Sequence, residues 1–203
     1  MVHTAALFGT GLGLATASGL NAYAVLLVYG GLARFFPEAF PGPIAQLLGT
    51  TPALFVAGIL FMLEFLADKV PVLDHVWHLL HTVVRPLVGA LLAIAAVAPE
   101  DSATMNVIAG GGGGVVAMLS HLVKSATRLT STALTAGVAN VALSLAEDVL
   151  AFLQSLVAIF LPMVALAVVV GLGILFLATV PRIARSVNLF GRRGAKGPDA
   201  AAP

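Results

Sequence analysis

The N-terminal part of the chain carries one long apolar stretch, and over residues 5–36 it reads AALFGTGLGLATASGLNAYAVLLVYGGLARFF. A bilayer core about 30 Å thick is crossed by roughly 20 apolar residues in a helix, so this stretch is too long for one straight span. Its centre is Ser18-Gly19-Leu20-Asn21, where polar side chains and a glycine interrupt the apolar sequence. The stretch therefore predicts a broken or strongly tilted membrane helix.

The composition of the whole chain is typical of a membrane protein. Of its 203 residues, 60% are hydrophobic and 9% are charged, and the mean hydropathy is +1.06, whereas a soluble domain has about 25% charged residues. This composition excludes a water-soluble monomer. The net charge of +1 leaves no basic field that would hold nucleic acid. The absence of cysteine excludes disulfides, thiolate nucleophiles, iron–sulfur clusters and Cys-ligated zinc.

Polar and proline-containing breaks divide the rest of the chain into further apolar segments. We predict an all-α polytopic membrane helical bundle with about six spans, and these spans cover residues 5–36, 52–69, 86–97, 104–124, 137–160 and 162–180. An amphipathic stretch, 71–84, precedes the short third span. Residues 1–180 then form a single transmembrane domain, and residues 181–203 form a basic cytoplasmic tail rich in glycine and alanine.

The positions of lysine and arginine agree with this arrangement, because cytoplasmic loops of membrane proteins are enriched in both residues. Arg34 falls on one side of the membrane. The others all fall on the opposite side, and they are Lys69, Arg85, Lys124, Arg128, Arg182, Arg185, Arg192, Arg193 and Lys196. We therefore expect both termini to be cytoplasmic.

Three spans followed by three spans predict two halves of opposite orientation, about 5–98 and 103–180, as in inverted-repeat transporters. The segment LADKV at 66–70 is echoed by LAEDV at 145–149. The first helix of each half also carries an interruption, at 18–21 in one half and at the five glycines 110–114 in the other. Each glycine disfavours a helix by about 1 kcal/mol relative to alanine, so the glycine run is either unwound or held by very close helix packing. We expect a broken first helix in each half.

Charged residues inside the predicted spans are costly, at about 2.5–3.5 kcal/mol each near the bilayer centre, so they persist where they are paired, hydrated or functional. Glu64 and Asp68 lie four residues apart and share one helical face, whereas Glu147 and Asp148 lie inside the fifth span. We expect a polar centre that binds a small ion. Its candidate residues are Asn21, Glu64, Asp68, Lys69, Lys124, Arg128, Glu147 and Asp148.

Three functions fit such a centre. Carboxylates that coordinate a cation or carry protons would make the protein a small-ion transporter or channel, with Glu64 and Glu147 as the deep ligands. Adjacent carboxylates are costly to ionise together at low dielectric, which favours proton coupling. A salt-bridge network without substrate would make the protein a structural or partner-binding membrane subunit. Lys124 and Arg128 beside the helix break would instead bind an anion.

A second polar group occupies the amphipathic stretch, where Asp74, His78, His81 and Arg85 share one stripe of a helix. We expect this stripe to face water or headgroups, with Trp77 as an interfacial anchor. Alternatively, Asp74, His78 and His81 hold a metal ion and support hydrolysis at the membrane surface, or the stripe docks onto the acids of spans two and five. The chain has no Gly-x-Ser-x-Gly elbow and no phosphate loop, so we expect neither an enzyme nor a cofactor.

Several short motifs resemble those of a known family. In chain order they read GLNAY at 19–23, EFLADKVP at 64–71, DHVW at 74–77, HT at 81–82, RP at 85–86 and SLAED at 144–148. This pattern, over about residues 11–160, is similar to that of the bacterial membrane proteins grouped as domain-of-unknown-function family 4126. The resemblance implies a multi-span membrane protein without an established activity. We expect this protein to lie in the bacterial inner membrane. The expected partners are the lipid bilayer, a small ion or small polar solute, and a second copy of the chain, since short spans need one to enclose a path.

Overall fold

The structure is a computed structural model that describes the chain except for residues 1, 70, 99–101 and 195–203, and it describes the backbone alone at 71–76, 78 and 180–194. Its α-helices are α1 (Val2–Leu20), α2 (Ala22–Phe35), α3 (Pro43–Leu48), α4 (Thr51–Ala67), α5 (Pro71–Val97), α6 (Ala103–Thr135), α7 (Asn140–Phe160) and α8 (Pro162–Gly194), and a short 3₁₀ helix, Pro37–Ala39, follows α2. The described secondary structure is helical throughout, which confirms the predicted all-α class. The chain forms two compact units, Met1–Ala167 and Val168–Pro203. The first unit holds the helix bundle, and the second begins within α8.

The first apolar stretch is broken at Asn21, as its sequence predicts. Asn21 has an extended backbone, with φ −147° and ψ 105°, between α1 and α2. Its side-chain Oδ1 accepts a hydrogen bond from the backbone N–H of Ala24 at 2.9 Å. Asn21 therefore caps α2 and satisfies one of the donors that the first turn of a helix leaves unpaired.

The central helix of the first unit is α1, which packs against α5, α6 and α7. Its glycines permit this close approach: a Cβ added at Gly11 would lie 3.1 Å from Ala93 Cα, and one added at Gly13 would lie 2.7 Å from Ala158 Cβ. Helices that approach so closely need small residues at the contact. As a result, α1 ends at Leu20 among the side chains of its neighbours.

The five glycines 110–114 do not break a helix. They lie within α6, which is continuous from Ala103 to Thr135. A Cβ added at Gly113 would lie 2.6 Å from the carbonyl oxygen of Gly89 on α5. The expected break in the first helix of the second half is therefore wrong, and the alternative of close packing is correct, because the contact with α5 offsets the low helix propensity of glycine.

The amphipathic stretch and the short third span are one helix and not two elements. Helix α5 runs from Pro71 to Val97 with Pro86 inside it. An internal proline removes a backbone hydrogen bond and costs about 3 kcal/mol. The preceding residue, Arg85, is 1% exposed and is held by other helices, so tertiary contacts offset this cost.

Among the described residues, four segments are long and apolar enough to cross a membrane, namely Leu79–Val97, Ala103–Thr135, Asn140–Phe160 and Pro162–Thr179. Helices α2 and α4 are apolar but have only 14 and 17 residues, or about 21 and 26 Å at 1.5 Å per residue. The protein is therefore a helical membrane protein, whereas six complete spans are not confirmed. The inverted repeat is not confirmed either, because the break after α1 has no counterpart in α6.

Alanine at Gly113 tests the contact between α5 and α6. The added Cβ would meet the Gly89 carbonyl oxygen and Ala93 Cβ, and overpacking of this kind costs about 1–3 kcal/mol. We expect Gly113→Ala to lower the melting temperature of the purified protein by about 3 °C or more. Gly111→Ala is the matched control, because nothing lies within 4 Å of its added Cβ and alanine favours the helix. Equal melting temperatures for the two variants would contradict the packing.

Candidate functional site

Ionisable side chains from four helices are buried together where α1 ends. We refer to this group as the charge cluster, and its members are Glu64, Asp68, His81, Arg85, His121, Lys124, Arg128, Glu147 and Asp148. Each is at most 7% exposed. Buried charges are stable only when they are paired and hydrogen-bonded, and unpaired ones mark functional positions. The partners of each side chain therefore decide what the cluster can do.

Arg85 connects α5 to three other helices. Its Nη2 donates to Glu64 Oε1 at 2.5 Å, and its Nη1 donates to the carbonyl oxygen of Gly19 at 3.0 Å. Nη1 also lies 2.7 Å from His121 Nδ1, and since a guanidinium only donates, that nitrogen is the acceptor. Arg85 thus neutralises Glu64 and holds His121 as a neutral imidazole.

Arg128 joins two carboxylates that the sequence places in different spans. Its Nη2 donates to Asp68 Oδ2 and to Glu147 Oε2, both at 2.6 Å, and its Nε donates to Glu147 Oε2 at 3.1 Å. Ser144 Oγ donates to Asp68 Oδ2 at 3.1 Å. Charge-assisted hydrogen bonds are roughly twice as strong as neutral ones, so Arg128 ties α4, α6 and α7 together.

Lys124 lies between the end of α1 and the same carboxylates. Its Nζ donates to the carbonyl oxygen of Leu20 at 2.7 Å and lies 3.1 Å from Glu147 Oε2 and 3.8 Å from Asp68 Oδ2. The Leu20 carbonyl is available because the N–H of Ala24, its partner in a continuous helix, donates to Asn21 instead. Cations at the carbonyl end of a helix are favoured by its dipole, so the break creates the binding position of Lys124.

Asp148 differs from the other carboxylates of the charge cluster. Its Oδ1 accepts a hydrogen bond from Asn21 Nδ2 at 2.7 Å, whereas its Oδ2 has no hydrogen-bond partner among the described residues, as is also true of Glu64 Oε2. What sets Asp148 apart is the lack of an ion pair. Among the described residues, the ion pairs of Arg85, Lys124 and Arg128 go to the three other carboxylates. The cluster thus has one more carboxylate than it has lysines and arginines, and the unmatched one lies at the break.

The structure brings together most of the residues predicted for the polar centre, namely Asn21, Glu64, Asp68, Lys124, Arg128, Glu147 and Asp148. Lys69 lies elsewhere: its Nζ donates to the Phe65 carbonyl oxygen at 2.8 Å and is 3.1 Å from the centre of the Phe65 ring. The predicted centre left out Arg85, His81, His121 and Ser144. The sequence did carry a signal for all four, because each shares a helix face with another member of the group: His81 with Arg85, His121 with Lys124, and Ser144 with Glu147 and Asp148.

The polar stripe of α5 does not face water at the two positions whose side chains are described. His81 and Arg85 are 0% and 1% exposed, so the expectation of a water-facing stripe is wrong there. The alternative, docking onto the acids, is correct for both, since Arg85 pairs with Glu64 and His81 Nε2 lies 3.9 Å from Glu64 Oε2. The physical reason is that a buried carboxylate on α4 needs a counter-charge.

The predicted metal group of Asp74, His78 and His81 is described only in part. The side chains of Asp74 and His78 lie outside the described residues, whereas His81 is inside the bundle. In the part of the chain that the structure describes, no three His, Cys, Asp or Glu side chains are grouped so that they could hold a metal ion. The metal-dependent hydrolase stays a prediction from the sequence.

Removal of Arg85 tests its pairing with Glu64. Arg85→Leu leaves a buried carboxylate without its counter-charge, which costs about 3–5 kcal/mol. We expect this variant to melt at a much lower temperature than the wild type. The double variant Arg85→Leu/Glu64→Leu should recover much of the loss, because replacing both partners by apolar groups is often nearly neutral. Melting curves in detergent measure both effects, and a double variant no more stable than Arg85→Leu would refute the pairing.

The sequence matches one protein family over residues 8–182, and that family is described as Domain of unknown function (DUF4126). No curated protein and no solved structure matches the chain. The matched residues include the helix break and every member of the charge cluster. The match confirms the resemblance seen in the short motifs. The chain therefore belongs to the DUF4126 family.

Proposed function

We propose that this membrane protein transports a small cation with proton coupling, and that Asp148 binds the transported ion. The observation that carries the proposal is the unmatched charge: among the described residues, Asp148 has no ion pair, whereas the three other carboxylates of the cluster do. Its buried Oδ2 also has no hydrogen-bond partner there. One bound cation or one proton would neutralise the cluster. Unpaired carboxylates inside a membrane are costly and mark ion or proton pathways.

The broken helix supports the same proposal. Broken helices place helix ends and free carbonyl groups at the ion sites of many transporters. Here the carbonyl groups of Gly19 and Leu20 are taken by Arg85 and Lys124, whereas Asp148 lies against Asn21 at the start of α2. In this proposal Lys124 and Arg128 tune the affinity of the site through their pairing with Glu147.

Ion entry requires a second conformation of the bundle. Asp148 is 7% exposed and Glu64 is 0% exposed, so the described conformation is closed to solvent at the proposed site. Transporters open such sites by moving one group of helices against another. A second copy of the chain would help to enclose the path, because α2 and α4 are shorter than a full span.

A structural or partner-binding membrane subunit is the second candidate, and the paired part of the cluster favours it. Arg85 and Arg128 join carboxylates on different helices, which would hold those helices in register without any substrate. The two candidates differ at Asp148. An unpaired charge on Asp148 would only destabilise a structural network, whereas a transport site needs that charge to bind its ion.

Ion flux in proteoliposomes tests the transport proposal, with sodium, potassium, magnesium and calcium each supplied with and without a pH gradient. We expect the wild type to carry at least one of these ions and Asp148→Asn to lower its flux at least tenfold, because an amide cannot carry the charge. The variant should remain folded, since asparagine keeps the size of aspartate and can still bond with Asn21. Glu38→Gln, which removes an exposed carboxylate outside the cluster, is the matched control.

Two outcomes would count against the proposal. Flux that survives Asp148→Asn would overturn the assignment of the ion site to Asp148. No flux of any of the four ions through folded wild-type protein would overturn transport of these ions and favour the structural subunit.

We also propose that the protein lies in the bacterial inner membrane with both termini in the cytoplasm, which single cysteines can test because the chain has none of its own. Glu38 lies in the 3₁₀ helix after α2, on the side of the membrane that is expected to face away from the cytoplasm, and we replace it by cysteine. It should react with a membrane-impermeant maleimide in intact cells. Ala201→Cys should react only after the cells are opened, and the reverse pattern would refute the orientation.

A further inference from the structure

A second set of unmatched polar atoms in the charge cluster lies between α4 and α5. His81 Nδ1 is 2.8 Å from the carbonyl oxygen of Trp77. A carbonyl oxygen only accepts hydrogen bonds, so Nδ1 carries a hydrogen. In a neutral imidazole the other nitrogen, Nε2, then carries a lone pair and only accepts.

His81 Nε2 faces a second acceptor. Glu64 Oε2 lies 3.9 Å from it, both side chains are 0% exposed, and neither atom has a hydrogen-bond partner in the part of the chain whose side chains are described. The other oxygen of Glu64 is taken by Arg85. Two lone pairs therefore face each other inside the protein, where an unmade hydrogen bond is costly. A proton on Nε2 would convert this contact into a charge-assisted hydrogen bond after a small approach of the two side chains.

The surroundings of His81 contain charges of both signs. Burial disfavours a charged ring, whereas Glu64 on α4 favours a proton on it, and Asp148 on α7 acts electrostatically on Glu64 across the cluster. Arg85 on α5 and Lys124 and His121 on α6 do not favour a positive charge on the imidazole. The ring of Tyr23 on α2 also faces it, with 5.4 Å between the two ring centres. Because carboxylates exceed lysines and arginines by one in the described cluster, one added positive charge makes the cluster neutral.

We propose that His81 Nε2 and Glu64 Oε2 form a proton-binding site, and that a proton held there competes with the cation held at Asp148. The first part rests on the geometry of His81 and Glu64 alone, and the second part rests on the proposed function. The proton comes from water, adds to the lone pair of Nε2 without breaking another bond, and returns to water when it leaves.

The competition follows from the charge of the cluster. With either the proton or a monovalent cation bound, the positive and negative charges are equal. With both bound, the cluster carries a surplus positive charge in a medium of low dielectric, where charges of one sign repel each other strongly. The two occupants therefore exclude one another, and the protein exchanges protons for cations.

Nitrogen NMR of histidine-labelled full-length protein in nanodiscs tests the proton site directly, with His81→Gln used to assign the His81 resonances. We expect a neutral ring with its hydrogen on Nδ1 at about pH 9 and an imidazolium at about pH 5. Glu64→Gln should lower the proton affinity of His81 at least tenfold, and Glu38→Gln should leave it unchanged. If Glu64→Gln does not fold, the proton site is tested by the tautomer of His81 at high pH and by the titration of His81 in the wild type. A hydrogen on Nε2 at high pH, or a ring that stays neutral down to pH 5, would overturn the site.

The competition is tested on the same sample by adding sodium chloride or potassium chloride, with choline chloride as the control for ionic strength. We expect sodium or potassium to displace the His81 proton in the wild type but not in Asp148→Asn. This result would support mutual exclusion between the two sites. A proton that neither cation displaces overturns the competition. If ion flux depends on Asp148 but the His81 ring never takes a proton, the proton site is refuted and the transport proposal still holds. A protonated His81 without any flux refutes transport and leaves the proton site standing.

Discussion

The arrangement of the charge cluster depends on the side chain of Asn21, which acts in two directions at once. Its oxygen caps α2 by accepting the N–H of Ala24, and its amide donates to Asp148. In a continuous helix that N–H would bond with the Leu20 carbonyl, and Lys124 would have to share this oxygen with the helix. One local break therefore frees the acceptor for a cation and fixes the position of a carboxylate.

The buried charges divide into a matched and an unmatched part, and the two parts have different consequences. The matched part, centred on Arg128 and Arg85, joins α4 to α5, α6 to α7, and the end of α4 to α6. Pairs of this kind add little net stability over apolar packing but make the loss of either partner costly. The unmatched acceptor atoms among the described residues, on Asp148, His81 and Glu64, are where the cluster can gain an ion or a proton.

Several features could be predicted from the sequence because their causes are local. The break at Asn21 is found as expected, because an asparagine after Ser-Gly-Leu can cap the helix that follows it within the same segment. The predictions that failed concern features whose outcome depends on a neighbouring helix. The glycines of α6 are helical because α5 packs against them, and Arg85 is buried because Glu64 lies opposite it. No pattern within a single helix contains that information.

By itself, the sequence determined that the chain is a helical membrane protein, where its first apolar stretch breaks, and that the four intramembrane acids share a buried polar centre with Lys124 and Arg128. Composition and helical period decide these features, because both act within one segment. Only the tertiary structure decided which charge pairs with which, that His81 faces Glu64, and that Asp148 has no lysine or arginine paired with it among the described residues. Helical spacing specifies the face on which a side chain lies, whereas ion pairing depends on the depth and rotation of each helix against the others, which packing alone sets.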